Sequence, residues 1–353
     1  MEDIKFFDNK NYKRRLLKKK IKNILLFFFP NILVKKLMEK SYTDIGFEIS
    51  NACNANCTFC AYRFQERKKH VMDFGMYKKA IDNYSNDGGG TVSFTPVVGD
   101  PLVDRKLIDK IKYARSKDNI KDVFLYTNAL FFDRYNLNEL VSSGITRIAI
   151  STYFGSRELY KKYYGVDGYD RVIKNITDLL KKNKQVGKPI NFTFHLRVEQ
   201  PVERWQKNKE FIEISKLNDN KNISFKTKYE NWSGMIKDDD LPDGCELGET
   251  LEFKNKIKDP CWELYRKFYI MSDARVGVCA SRDLEGEICI GNVKEKSLNN
   301  IWRDEPIRKF RKDWVKGHLP KVCMKCDRYR PISNYIEENK FEILKTQIFS
   351  RKN

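Results

Sequence analysis

The sequence lacks three features that would each assign it to a familiar class. No apolar run approaches the roughly 18 residues that cross a bilayer, so no transmembrane helix is predicted. The basic N-terminal stretch has no small-residue cleavage site behind its apolar run, so we expect no secretory signal. Only three histidines occur (His70, His195 and His318) and no G-x-S-x-G segment is present, which argues against a triad hydrolase. These absences favour a cytoplasmic protein.

Cysteine and positive charge are well represented. Nine cysteines in a chain without an export signal are not expected to form disulfides, so metal chemistry or core packing must explain their spacing. Lys and Arg number 68 against 48 Asp and Glu, a formal net charge of +20 that indicates phosphate-bearing or membrane-surface partners. A length of 353 residues predicts two domains, at about 150 residues per domain.

The N-terminal segment carries much of the positive charge. Residues 1–40 hold twelve basic and four acidic residues. From Leu17 to Phe28 the apolar residues recur on one helical face, and Pro30 ends the pattern. Such a helix is typical of an interfacial membrane anchor, but it also suits a helix that packs its apolar face on the main domain. The first interpretation makes an anionic membrane surface a partner of residues 10–40 and places the protein on the inner membrane face.

From residue 45 onward, strand and helix patterns alternate. Six apolar segments are predicted strands: Ile45–Ile49, Thr91–Thr95, Val123–Tyr126, Arg147–Ser151, Ile190–Leu196 and Ile223–Thr227. Helical patterns lie between them, near residues 75–86, 104–117, 134–143, 168–183 and 203–217. Strands that are each followed by a crossover helix indicate an α/β fold with a parallel sheet or barrel.

The remaining chain changes character after residue 228. Two short strands are predicted at Phe268–Met271 and Val276–Cys279, then a helix near 297–313 and a helical tail at 332–349. The predicted organisation is a basic amphipathic segment (1–44), a barrel (45–228), a Gly- and Pro-containing linker (229–260), a cysteine-rich domain (261–331) and a C-terminal helix (332–353).

A C-x3-C-x2-C array follows the first predicted strand. Three thiolates from one short loop, Cys53, Cys57 and Cys60, suit an iron–sulfur cluster, whereas a structural zinc site usually needs a fourth protein ligand. The array, with Phe59 before its last cysteine, resembles the signature of the radical SAM superfamily. The resemblance implies a 4Fe-4S cluster whose open iron binds S-adenosyl-L-methionine, a one-electron reductant such as flavodoxin or ferredoxin, and a 5′-deoxyadenosyl radical.

Other segments extend this resemblance over residues 45–228. The matching positions are Gly99, Asp100, Pro101, Thr127, Asn128, Ser151 and Arg197. The first three belong to a segment similar to the family's Gly-Gly-Glu-Pro, with Asp in place of Glu. The resemblance implies that this segment holds the methionine amino group, that Ser151 contacts the ribose and that Arg197 pairs with the methionine carboxylate. The implied fold is a partial (β/α)6 TIM-like barrel with its site at the C-terminal ends of the strands.

A second cysteine group lies in the C-terminal part. Cys323 and Cys326 form a metal-type pair, and Cys261 and Cys279 lie at the ends of a predicted hairpin. Four such thiolates can enclose zinc or an iron–sulfur cluster, and the residue types alone do not decide which. The surrounding residues, including Ile290-Gly291-Asn292-Val293, resemble the SPASM/twitch extension of radical SAM enzymes. The resemblance implies one auxiliary 4Fe-4S cluster, as in aminocyclitol dehydrogenases, because the later cysteines of the full pattern are missing.

The last candidates concern chemistry on the substrate. His195, Arg197 and Glu199 at one strand end are candidate proton acceptors. Cys245 and Cys289 are either buried core residues or hydrogen-atom donors to a substrate radical.

These residues and the resemblance together favour a radical SAM oxidoreductase. It would dehydrogenate a sugar, aminocyclitol or glycan building block, free or lipid-linked, and pass an electron to the auxiliary cluster. The alternatives are a radical epimerase with a cysteine donor, a peptide-maturing radical SAM enzyme, and a non-enzymatic zinc or nucleic-acid-binding protein. No nucleic-acid-reading motif is present, so nucleic acid is not a predicted partner.

Overall fold

The computed structural model describes residues 30–199, 201–219, 221–250, 252, 255 and 259–349. The amphipathic helix predicted between Leu17 and Phe28 therefore lies outside the described residues. Pro30 is the N-cap of helix α1 (Asn31–Lys40). None of the helices in the described ranges combines the length and apolar character that a bilayer crossing requires.

A sheet of nine strands forms the centre of the molecule. Its first six strands are β1 (Asp44–Phe47), β2 (Gly90–Phe94), β3 (Ile120–Thr127), β4 (Arg147–Thr152), β5 (Asn191–Arg197) and β6 (Ile223–Lys226). They pair in parallel in chain order. The connecting helices are α2 (Phe74–Asn86), α3 (Leu107–Arg115), α4 (Leu137–Ser142), α5 (Arg157–Tyr164), α6 (Tyr169–Gln185) and α7 (Lys209–Leu217). The predicted α/β partial barrel is confirmed.

The core explains why these segments form a parallel sheet. Val92 on β2 pairs with Val123 on β3, and both are fully buried between sheet and helices. Helix α6 buries Val172, Ile176 and Leu179, a spacing that places all three on one face. Along β3, β4 and β5 burial alternates from residue to residue, as expected for strands with one face in the core, and the apolar residues of that face are what the sequence pattern located.

The strands after residue 260 continue the same sheet. After a two-stranded ribbon of β7 (Lys228–Tyr229) and β8 (Glu246–Leu247) come β9 (Lys267–Ile270), β10 (Arg275–Gly277) and β11 (Cys289–Asn292). Strand β9 pairs in parallel with β1, from Asp44↔Lys267 to Phe47↔Ile270. Strands β10 and β11 follow in antiparallel pairing. The predicted hairpin is present. Its strands belong to the same sheet as the barrel strands, so the sheet does not mark where one domain ends and the next begins. The domain boundaries therefore stay a prediction.

Two further helices replace the one predicted near residues 297–313. They are α8 (Leu298–Arg303) and α9 (Glu305–Val315), separated at Asp304, whose backbone is extended and whose side chain caps α9. Trp302 of α8 is fully buried, stacks edge-on against Phe268 of β9 and donates its Nε1–H to the carbonyl of Met38. A short helix, α10 (Lys321–Met324), and the C-terminal α11 (Ile332–Phe349) complete the described chain. The C-terminal helices thus pack near the place where β1 and β9 pair.

Candidate active site

The loop that carries the first three cysteines is held by helix α5. The backbone N–H groups of Asn56 and Thr58 donate to the carbonyls of Tyr164 and Tyr163, both at 2.9 Å. Gly165 ends α5 in the left-handed conformation, and a Cβ there would lie 2.7 Å from the Asn56 carbonyl oxygen. The cluster loop (residues 53–60) therefore has a fixed support on one side, which sequence reasoning did not predict.

The loop after β2 supports the cluster loop from another side. The backbone N–H of Asp100 donates to the Ala52 carbonyl at 2.9 Å. Gly99 has φ +115°, and a Cβ there would lie 2.8 Å from the Ser50 carbonyl oxygen, so the close approach requires glycine. The similarity to the family's Gly-Gly-Glu-Pro segment is thus explained by backbone packing at this position.

Asp100 also ties the end of β3 to the cluster loop. Its buried carboxylate accepts from the Thr127 hydroxyl at 2.9 Å and from the Asn128 N–H at 2.8 Å. The Asn128 amide then donates to Asn54 Oδ1 at 2.7 Å. Burial raises the pKa of Asp100 to about 6, because these hydrogen bonds to the carboxylate only partly offset desolvation.

A cavity of about 390 Å³ opens where strands β2 to β6 end. This volume is typical of small-molecule sites, which run from roughly 300 to 1,000 Å³. The structure places many of the predicted residues on its wall: Cys53, Cys57, Cys60, Gly99, Asp100, Thr127, Asn128, Ser151, His195 and Arg197. Pro101, Glu199, Cys245 and Cys289 are not on the wall. The cavity therefore joins the predicted cluster loop to the predicted proton acceptors His195 and Arg197.

Arg197 is the central cation of the cavity. Its guanidinium forms an ion pair with Glu230 at 3.3 Å and donates to the Ser151 hydroxyl at 3.4 Å. Burial lowers the pKa of Arg197, but Glu230 and three tyrosines more than compensate and raise it above its usual value. Burial likewise opposes ionisation of Glu230, yet the nearby arginines hold its pKa below its usual value. Both groups are ionised at neutral pH.

His195 lies beside this ion pair. Its ring stacks on Tyr126 with centroids 5.5 Å apart, and its Nδ1 is 2.9 Å from the Ser224 hydroxyl. Ser224 donates its own proton to the Phe194 carbonyl, so Nδ1 is assigned as the protonated nitrogen and Nε2 as a free acceptor. Burial, aided by Lys226 and Arg197, lowers the pKa of His195 to about 4. The imidazole is therefore neutral at pH 7 and able to accept a proton.

The second cysteine group gathers beside β9 and β10. Burial raises the pKa of all three of Cys261, Cys279 and Cys323, that of Cys279 to about 11, and repulsion from neighbouring thiols of the group adds to each shift. Cys326 is one of those neighbours, since it acts on both Cys279 and Cys323. Four neighbouring thiols, of which burial raises the pKa of three, are suited to a positively charged metal centre, which stabilises their thiolates.

Two arginines connect the second cysteine group to the cavity. The backbone N–H of Arg282 donates to Cys279 Sγ at 3.4 Å, and that of Arg328 to Cys326 Sγ at 3.3 Å. Both arginines line the active-site cavity. Arg282 also forms a buried ion pair with Asp327 at 2.6 Å. The cysteines of the first group thus line the cavity, and the second group lies behind wall residues that contact its sulfurs.

The residues present fit two iron–sulfur clusters. Among the described residues no three His, Cys, Asp or Glu side chains are spaced to hold a single metal ion. The thiolates around a four-iron cluster lie farther apart than the ligands of a single metal ion, so this spacing does not argue against a cluster. The first loop offers three thiols beside an open cavity, and the second group offers four thiols with backbone N–H groups directed at the sulfurs.

A parallel partial barrel whose strand ends surround a three-cysteine loop defines a class of cluster-dependent barrel enzymes. The family model of the radical SAM superfamily matches residues 47–203. The model of SPASM, an iron–sulfur cluster-binding domain, matches residues 261–327. The chain therefore has a radical SAM domain followed by a SPASM domain. Its radical SAM domain binds a 4Fe-4S cluster and S-adenosyl-L-methionine, and its SPASM domain binds auxiliary iron–sulfur.

Sequence relatives include two kinds of enzyme. A probable GTP 3′,8-cyclase of Saccharolobus islandicus is 28% identical over 175 residues, which cover 49% of this chain and 52% of the cyclase. The chain thus spans about half the length of the cyclases it matches. An S-adenosyl-L-methionine-dependent 2-deoxy-scyllo-inosamine dehydrogenase of Niallia circulans is 22% identical over 298 residues, or 82% of this chain and 94% of the dehydrogenase.

Solved structures share the fold. BtrN in complex with AdoMet and 2-DOIA matches with a TM-score of 0.54 and 18% identity, covering 82% of this chain and 94% of BtrN. Streptococcus suis SuiB bound to the precursor peptide SuiA matches with a TM-score of 0.55 and 16% identity, covering 96% of this chain and 80% of SuiB. At these identities the likeness establishes the fold alone.

Sequence reasoning missed four charged residues of the cavity, one of which is Lys226 at the end of β6. Glu230 follows the short strand β7, which has no clear pattern of its own. Arg282 and Arg328 lie three and two residues after cysteines of the second group, and this closeness to the cysteines is the one signal that could have found them. Their position over the cavity depends on how the second group folds onto the barrel, which local sequence does not encode.

Proposed function

We propose that this enzyme dehydrogenates a hydroxyl-bearing carbon of a sugar, aminocyclitol or glycan building block. When bound at Cys53, Cys57 and Cys60, the cluster with S-adenosyl-L-methionine supplies the 5′-deoxyadenosyl radical that takes a hydrogen atom from substrate. A one-electron donor such as flavodoxin or ferredoxin is the proposed reductant. The observation that carries the proposal is that Arg282 and Arg328, which line the cavity, donate their backbone N–H groups to cysteines of the second group.

Oxidation of a carbon radical to a ketone needs an acceptor for one electron. The four thiols of Cys261, Cys279, Cys323 and Cys326 would hold that acceptor. Cys279 is only one residue from Ala280 and three from Arg282, and both of these residues line the cavity. A substrate in the cavity would therefore lie close to the acceptor. A short distance between the two favours electron transfer to the acceptor over return of a hydrogen atom to the substrate radical.

Oxidation also needs an acceptor for the hydroxyl proton. His195 is neutral and has Nε2 free, and it lies on the same wall as Arg197. The balance is then complete: one hydrogen atom leaves carbon, one proton passes to Nε2, one electron leaves to the auxiliary site, and a C=O bond remains. Arg197, paired with Glu230, is charged and fixed, which suits it to hold the methionine carboxylate.

The epimerase alternative requires a thiol that can return a hydrogen atom. Within the described chain, the cysteines lining the cavity are the three of the cluster loop. Cys245 donates its thiol to the Val198 carbonyl at 2.8 Å, and Cys289 is exposed on β11. The absence of both thiols from the described wall of this cavity supports oxidation.

The extent of the dehydrogenase match supports the same substrate class. The Niallia circulans enzyme aligns over 82% of this chain and 94% of its own, whereas the cyclase match covers about half of each chain. A cavity of about 390 Å³ is suited to a small substrate such as an aminocyclitol or a sugar.

The test is product analysis in deuterated water with Cys245→Ala and Cys289→Ala. We expect both variants to give a ketone or aldehyde, with one 5′-deoxyadenosine formed per product and no solvent deuterium on carbon. Product that carries one solvent deuterium, together with a stalled radical in either variant, would show epimerisation and refute the proposal. The wild-type enzyme under the same conditions is the control.

A further inference from the structure

A second cavity, of about 740 Å³, lies away from the active site. Its wall is formed by α1, α8, α9 and the residues just before β9, so it lies toward the N-terminal ends of β1 and β9. The active-site cavity lies at the opposite, C-terminal ends of the strands and shares no wall residue with it. We call it the basal cavity.

The basal cavity is strongly positive. Its basic wall residues are Lys35, Lys40, Arg303, Arg308, Arg311 and Lys312. The wall contains one carboxylate, that of Glu39. Cations crowded around a concave surface raise its potential and attract anions.

Arg311 shows that the positive charge extends below the surface. It is 6% exposed, and its Nε and Nη2 both donate to the Leu264 carbonyl, at 3.0 and 2.7 Å. Within the described ranges no carboxylate lies at ion-pair distance from it. Burial lowers the pKa of Arg311 to about 10, so the guanidinium still carries its charge at neutral pH. Glu39 acts on Arg311 only from beyond ion-pair distance, and the rings of Tyr265 and Trp302 lie 4.8 Å from its guanidinium. A bound anion would give this buried cation a direct counter-charge.

Two exposed apolar side chains lie beside the basic wall residues of the basal cavity. Ile32 is 65% exposed, and Val315, which is part of the wall, is 57% exposed. Ile32, Lys35 and Glu39 follow one another at helical spacings of three and four residues, so Ile32 lies on the cavity-facing side of α1. Apolar side chains beside a basic recess are the features that bind an anionic membrane surface.

We propose that the basal cavity binds the phosphate headgroup of an acidic membrane lipid, with Ile32 and Val315 entering the bilayer interface. Free phosphate has the same charge but gains nothing from these two apolar side chains. This inference does not depend on the proposed dehydrogenase activity, because the two cavities are separate.

The first test is vesicle flotation of the full-length protein with mixed phosphatidylglycerol and phosphatidylcholine. Arg308 and Lys312 are exposed, so the double variant Arg308→Glu/Lys312→Glu should fold normally. We expect its vesicle Kd to rise by about tenfold or more, since each cation at an anionic surface contributes on the order of 1 kcal/mol. The matched control is Lys207→Glu/Lys209→Glu, which changes net charge equally on the exposed β5–β6 crossover. An equal loss in the control would overturn the proposal.

The second test separates a lipid from free phosphate. Ile32→Gln should weaken vesicle binding severalfold while leaving titration with inorganic phosphate unchanged. If the wild-type protein binds inorganic phosphate in the calorimeter but does not float with phosphatidylglycerol vesicles, the cavity is a free-anion site and the lipid assignment is wrong. Absence of binding to both probes also refutes it.

Discussion

Burial and two nearby cations keep the His195 ring neutral, and Glu230 offsets only part of their effect. Burial disfavours the imidazolium, and Lys226 and Arg197 repel it, so the pKa falls to about 4. Because this folded-state pKa is below that of a free histidine, the unfolded chain binds the proton first. The residue therefore costs stability as the pH falls from about 6.5 toward about 4 and costs none at pH 7. The same surroundings keep Nε2 available as a proton acceptor at neutral pH.

Replacing His195 by Gln should remove the proton acceptor and keep the side chain close to its original size. We expect the rate of product formation to fall by roughly 10²- to 10⁴-fold, while S-adenosyl-L-methionine cleavage continues without product. In the wild-type enzyme the rate should stay level from about pH 7.5 to about pH 6. A histidine of ordinary pKa would lose about three-quarters of its neutral form over that range. A wild-type rate that drops to this extent would contradict the assigned role.

Asp100 shows how one shorter side chain is accommodated. The similar family segment has Glu at this position, but the Asp carboxylate is held directly by the Thr127 hydroxyl and the N–H groups of Leu102 and Asn128. A longer side chain would need a different arrangement of these donors. The hydrogen bonds from Leu102, Thr127 and Asn128 therefore compensate for the presence of Asp where the family has Glu.

At the scale of elements, α5 decides where the cluster loop lies. Its C-terminal carbonyls accept hydrogen bonds from that loop, and Gly165 permits the loop to approach the helix end. Ser156 caps the start of the helix, and Gly165, with φ +67°, ends it. The position of this short helix in the barrel wall thus fixes the position of the loop that carries the three cysteines.

Gly165→Ala should therefore disturb the cluster loop. The added Cβ would lie 2.7 Å from the Asn56 carbonyl oxygen, so the loop must move as well as bear the strain of a positive φ. We expect reduced iron at the first site, measured as iron per protein and as 5′-deoxyadenosine formed. Gly187→Ala is the matched control, because Gly187 has φ +83° but no atom within 4 Å of the new Cβ. That variant should lose only about 1–2 kcal/mol of stability from backbone strain. Equal iron loss in both variants would disprove the support role of α5.

The elements differ in how far the sequence could predict them. Strands β1 to β6 were predicted because each is an apolar run between turn signals, and the cysteine spacing was visible without structure. Helix α5 was missed because it is short, although Ser156 and Gly165 mark its ends. The parallel pairing of β9 with β1 could not be predicted, since nothing in Lys267–Ile270 specifies a partner more than 200 residues earlier. Glu230 and Arg282 were missed for the same reason, because long-range packing brings them to the cavity.

At the scale of the whole molecule, Glu48 joins the barrel to the C-terminal hairpin. Its fully buried carboxylate accepts from Arg67 at 2.6 and 2.9 Å and from the Ser272 N–H and hydroxyl at 3.1 and 2.9 Å. Tyr269 of β9 adds a hydrogen bond at 3.2 Å. One side chain thus connects β1, the segment after the cluster loop, and β9.

Glu48→Gln should destabilise both parts together. The change leaves Arg67 buried without its counter-charge, which typically costs about 3–5 kcal/mol. Hydrogen exchange should show the amides of β1 and β9 exchanging faster by the same factor, because both are exposed in one opening. Glu342→Gln, at an exposed pair with Lys345, should change stability by no more than about 1 kcal/mol. Faster exchange confined to β9 would mean that the hairpin opens independently.

The pairing of β1 with β9 also affects how the protein is made. Asp44 emerges from the ribosome well before its partner Lys267, which lies about 220 residues later in the chain. At about 5–20 residues per second, that interval is roughly 10–45 s. During this time one edge of β1 has no partner, and an open strand edge is a template for pairing with other chains. Conditions that slow translation therefore lengthen the period in which the nascent chain is prone to aggregation.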